Sequence, residues 1–147
     1  MKAKKQERSE RMQLWHLTSD ACRVPMCASA GEHVVLNIGT WPIERGQSVR
    51  VAYAVTHADG ASEGGEAAAA WSHHAGANSY GHAGLGPFCD GDRVRYVLRS
   101  SSPAGAVAGP ASIFMSGRSF ASRCSGTSTS RGTGTVHRAR RGTCQQV

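Results

Sequence analysis

The chain has 147 residues, 39% of them hydrophobic and 18 of them glycine, with a formal net charge of +7. That length suits one domain with a modest core, about 100 folded residues. No run approaches the roughly 20 apolar residues of a membrane-spanning helix, so no membrane partner is expected.

The charge is unevenly placed. Residues 1–19 carry five Lys or Arg against two Glu, residues 20–110 six Arg against eight acids, and residues 111–147 six Arg and no acid. A slightly acidic middle is therefore flanked by basic ends. A folded nucleic-acid module gathers its basic residues on one face, whereas basic ends attract anions without specificity. Specific nucleic-acid binding is not expected, and nonspecific binding through the ends is the nucleic-acid reading that remains.

In chain order, residues 1–17 (MKAKKQERSERMQLWHL) hold helix formers and neither Pro nor Gly. A short helix over 4–16 or a frayed arm fits that composition, within a basic N-terminal region taken as 1–30. The apolar run of about 7–15 residues that a secretory leader needs is absent here, so the chain reads as cytoplasmic with reduced thiols. Cys22 and Cys27 have a spacing that metal sites tolerate, but Cys89, Cys124 and Cys144 add no second pair at zinc-like spacing. A structural zinc takes four ligands, and no metal or other cofactor is expected.

The middle alternates with period two. Val34, Leu36 and Ile38 share one face of EHVVLNIG. Val49, Val51, Tyr53 and Val55 do so in QSVRVAYAVTH, and Val94, Tyr96 and Leu98 in DRVRYVLRS, opposite Arg93, Arg95, Val97 and Arg99. Each pattern predicts a strand with one apolar face. Weaker strands are predicted at 67–73, 79–83 and 112–115. Turns are expected at 39–46, 57–65, 84–91 and 100–109, where Gly, Pro and small polar residues collect. Short strands punctuated in this way predict an all-β, Ig-like or fibronectin-like antiparallel β-sandwich over 31–116. Beyond it, 117–147 is Ser, Gly, Thr and Arg with little apolar periodicity, and a disordered tail is expected.

Three groups could carry chemistry. Asp90 and Asp92 straddle Gly91; two carboxylates can split into an acid and a base when their environments differ. A solvated turn beside Arg93 and Arg95 explains them better, since Asp side chains bond nearby backbone N–H groups. His73 and His74 are neighbours, and on a strand they face opposite sides, so with His82 they read as surface histidines rather than one metal site. No Ser-His-Asp order, phosphate loop or dinucleotide fingerprint is present, and no catalytic residue is assigned. Trp41, Trp71 and Tyr80 fall near loop ends, where flat rings can stack on the apolar face of a sugar. A core role is preferred for Trp71, while Trp41 and Tyr80 are open between core and rim.

The order W-P-I-x3-G-Q-x-V-x-V-x-Y at 41–53, then N-S-Y-x-H-A-x-L-G-P-F-x2-G-D-x-V-x-Y at 78–96, then Gly109-Pro110, resembles an Ig-like module at the N-terminus of glycoside hydrolases acting on α-glucans. The resemblance covers about residues 31–116. It implies a non-catalytic, carbohydrate-related accessory module, here without the catalytic barrel that would follow, as in a truncated hydrolase. Its partners would be an oligosaccharide or polysaccharide, or a catalytic domain. Trp41, Trp71 and Tyr80 are its candidate sugar-stacking residues. A protein-interaction module is the alternative.

Overall fold

The computed structural model describes residues 11–117. Ten strands follow in order: β1 (Gln13–Trp15), β2 (Arg23–Val24), β3 (Val34–Trp41), β4 (Ser48–Thr56) and β5 (Ser62–Ala68), then β6 (Ala70–Ala75), β7 (Asn78–Leu85), β8 (Arg93–Ser102), β9 (Gly105–Ala108) and β10 (Ser112–Met115). They form two antiparallel sheets. The first runs β1-β3-β7-β6, with β2 also on β3; the second runs β10-β8-β4-β5, with β9 also on β8.

The two inner faces are the apolar sets of the alternating stretches. Val34, Leu36 and Ile38 of the first sheet meet Val51, Val55, Val94, Tyr96 and Leu98 of the second, joined by Ala83, Leu85, Phe88 and Phe114. Sandwiches bury one face of each strand in this way and leave the other to solvent. Phe88 enters from the corner before β8 and packs edge-on against Phe114.

Three expectations change. Where a helix was expected over 4–16, the described part holds a strand: Gln13–Trp15 pairs with Thr40 and its neighbours in β3, because Leu14 finds a place against the core there that no isolated helix would offer. The turn expected at 57–65 closes earlier, so that β5 begins at Ser62, and the stretch at 100–109 folds its second half into β9. The thiols expected to be reduced are not all so: Cys27 and Cys89 are disulfide-bonded, while Cys22 is free. The tail expected beyond 117 lies outside the described residues.

Candidate functional site

The outer face of the first sheet carries a row of rings. Trp15 pairs with Gly39, Gly39 with Tyr80, and Tyr80 with His73, so the rings of β1, β7 and β6 stand in one row across the sheet, with Gly39 of β3 between them. At Gly39 a Cβ would run into the five- and six-membered ring atoms of Trp15 at once. The half-buried indole therefore lies across β3 at a residue that leaves room for it. Tyr80 stands nearly perpendicular to it, 87° between planes at 6.0 Å, and is backed by the His73 ring stacked at 4.9 Å.

Asp20 closes this row. Leu17 turns the chain with φ 62°, and the Thr18–Ala21 loop that follows brings the carboxylate to the polar edges of the Trp15 and Tyr80 rings. Oδ1 accepts the Thr18 hydroxyl at 2.7 Å, and Oδ2 accepts the Tyr80 hydroxyl at 2.7 Å and the Trp15 indole N–H at 3.2 Å. These bonds, the Thr18 hydroxyl first, hold the carboxyl down to about 2, against its ordinary 3.8. The same contact with Asp20 pushes the Tyr80 phenol up.

Of the three residues expected to stack on sugar, only Tyr80 lies in this row. Trp41 ends β3 on the same face by its register, opposite Gln13. Trp71 is not a core plug: it is 66% exposed, because β6 is the edge strand and all six of its residues lie beyond the cover of the opposite sheet. It pairs with Gly81 on the inner side of the sheet, its ring against His74. There it borders a cleft of about 70 Å³ with Ile38, Thr40, Val49 and Ala69. Cavities that enclose small ligands run to about 300–1,000 Å³. His73 and His74 do face opposite sides, one to Tyr80 and one to Trp71. Among the described residues, no three His, Cys, Asp or Glu gather in a way that could hold a metal ion. Sequence reasoning missed Trp15, His73 and Asp20; Gly39 inside an otherwise bulky strand was the available signal.

The Asp90-Gly91-Asp92 corner is a turn, but Asp92 is not solvated. It is 2% exposed; Oδ2 accepts the Cys89 N–H at 2.8 Å, and Oδ1 meets His57 Nδ1 at 2.8 Å. Glu63 lies 3.5 Å from the other ring nitrogen. The Asp92 bond, then its charge and that of Glu63, raise the His57 pKa.

The outer face of the second sheet is basic. Arg50 pairs with Arg99, and Arg95 and Arg93 follow on the same face of β8. Beside them on β10, Ile113 and Met115 are 49% and 44% exposed. Glu66 forms an ion pair with Arg50 at 3.1 Å.

No family model matches the chain. An isomaltosyltransferase of Sporosarcina globispora is 35% identical over 79 residues, which is 54% of this chain and 7% of that protein. The structure is similar to a cycloalternan-forming enzyme of Listeria monocytogenes solved with a pentasaccharide substrate, at TM-score 0.60 and 35% identity over 67% of this chain and 9% of that one. It matches to the same extent a Listeria monocytogenes EGD-e protein solved with α- and β-D-glucose, magnesium and calcium. The chain thus spans less than a tenth of each of these proteins, and over that segment its homologues are an isomaltosyltransferase and a cycloalternan-forming enzyme, in keeping with its resemblance to an Ig-like module of α-glucan-acting hydrolases.

Proposed function

We propose that this chain is a non-catalytic, carbohydrate-related accessory module of an enzyme acting on gluco-oligosaccharides. The observation that carries the reading is the match itself. One sandwich, folded around one core, corresponds to 7–9% of proteins whose names are those of sugar-transferring enzymes. A sandwich face that displays rings and a carboxylate suits contact with a neutral sugar better than chemistry on it. Tyr80 and Trp41, which share the outer face of the first sheet, are the candidates for sugar contact; Trp71 lies on the other side of that sheet and is set apart from them. The test is turnover: the purified chain, incubated with isomaltose, panose and maltopentaose, should release and transfer nothing over days. Products that appear in proportion to the chain would overturn the reading.

A second reading, a module that docks a catalytic domain, is favoured by the second sheet. Four arginines with Ile113 and Met115 on one outer face suit an acidic protein surface with apolar patches. It predicts that, in the Listeria cycloalternan-forming enzyme, the positions aligned with Arg95, Arg99 and Ile113 are covered by the rest of that chain. Solvent-exposed equivalents would contradict it.

A further inference from the structure

The outer face of the first sheet has the parts of a saccharide site, and none of its core members except Tyr80 was legible as such in the sequence. A pyranose offers a flat array of axial C–H groups on one side and hydroxyls around its rim. It needs a flat ring beneath it, a wall beside it and fixed acceptors or donors at its edge. The Trp15 indole, laid on Gly39, is such a floor. Tyr80, upright at 87° and braced by the stacked His73, is such a wall.

The polar edge is Asp20. Its Oδ2 accepts Tyr80 and Trp15 and its Oδ1 the Thr18 hydroxyl, with a further bond from its own backbone, so the carboxylate is fixed at the exposed edge of the rings. A carboxylate held ionised by its hydrogen bonds accepts a hydroxyl more strongly than a neutral group does. His73 supplies a second polar point: Nδ1 meets the Ser72 hydroxyl at 3.0 Å, which leaves Nε2 to a ligand. These groups are held by strand pairing and by one another, so little ordering is required on binding.

We propose that this face binds a short gluco-oligosaccharide, one glucose unit lying on Trp15 against Tyr80, with Asp20 accepting one of its hydroxyls. The proposal rests on the accessory-module reading for the class of sugar, and the rings, their spacing and the fixed, exposed carboxylate supply the site. Trp41, further along the same face, is placed to meet a second unit.

Titration calorimetry of the chain at pH 7 with isomaltotriose, maltopentaose and cellopentaose tests it. The expected result is binding of at least one α-linked probe, weakened tenfold or more in Asp20→Asn and by a similar factor in His73→Ala. Trp71→Ala, on the opposite side of the sheet, should change affinity less than twofold. Asp20 and His73 are exposed, so these variants keep the fold, and circular dichroism checks it. The site is overturned if no probe binds at millimolar concentration, if Asp20→Asn binds as the parent does, or if Trp71→Ala is the variant that loses binding. Failure here without turnover would leave the accessory reading standing; turnover would remove that reading whatever the titration shows.

Discussion

At the scale of single residues, two positions set the local geometry. Gly39 is required by the indole that crosses it. A Gly39→Ala methyl forces Trp15 off the sheet, an overpacking change expected to cost about 1–3 kcal/mol. Urea unfolding should show that loss together with a red-shifted tryptophan emission; an unchanged midpoint would mean that the ring does not lie there. Asp92 is the second. Its carboxylate satisfies a backbone N–H and a histidine in a buried corner, and Asp92→Ala leaves both unpaired, at about 1–3 kcal/mol for a lost buried acceptor. The Asp-Gly-Asp turn was legible from residue types, and Gly91, at φ 82°, takes the left-handed angles expected of it. The burial of Asp92 was not legible, because its histidine partner lies 35 residues away on another strand.

At the scale of strands, two histidines tie elements together with opposite charge preferences. His16, just past β1, donates from Nδ1 to the Asn37 carbonyl at 2.6 Å and accepts the Tyr96 hydroxyl at Nε2, at 2.8 Å. It thereby links the first sheet to the second in its neutral form. Burial, opposed by the Asn37 bond and aided by Arg23, holds its pKa below 6.5. The unfolded chain then takes up a proton near 6.5 that the folded one refuses, so this contribution is present at higher pH and is lost as pH falls. His57, raised by Asp92, behaves in the reverse way: its contribution is full below 6.5 and is lost as pH rises through its higher folded value. The deficit in stability of His16→Gln should therefore shrink as pH falls below 6.5, and that of His57→Gln should shrink as pH rises above it. Chemical unfolding of both variants between pH 5 and 9 checks this; parallel curves would contradict it.

The strands themselves were legible wherever alternation was strict. Val34, Leu36 and Ile38, Val51 and Val55, and Val94, Tyr96 and Leu98 are core residues on the predicted faces. β1 was hidden, because three residues of a good helix former's composition become a strand only through pairing with β3. The exposure of Trp71 was hidden too: a strand's pattern does not tell whether it lies in the middle of a sheet or at its edge.

For the whole molecule, the two sheets present two different outer faces, one of rings and a carboxylate, the other of arginines. The arginine face was already visible as the polar half of DRVRYVLRS. The ring face was not, since Trp15 and Asp20 come from one segment and His73 and Tyr80 from a hairpin more than fifty residues on, and only the sheet order β1-β3-β7-β6 brings the two together. The oxidised cysteines add a further expectation: disulfides persist in oxidising surroundings. Alkylation without reductant should label Cys22 and spare Cys27 and Cys89, as peptide mass spectrometry would show.

The central claim, that the sheet face floored by Trp15 meets sugar, has a direct probe in the chain's own three tryptophans. Each indole N–H gives one nitrogen-15 NMR signal and reports one place: Trp15 the floor, Trp41 the end of the same face, Trp71 the far edge. On titration with isomaltotriose or maltopentaose, the Trp15 signal should move progressively and saturate while the Trp71 signal stays in place. Three unmoved signals at millimolar saccharide, or a shift confined to Trp71, would contradict the account.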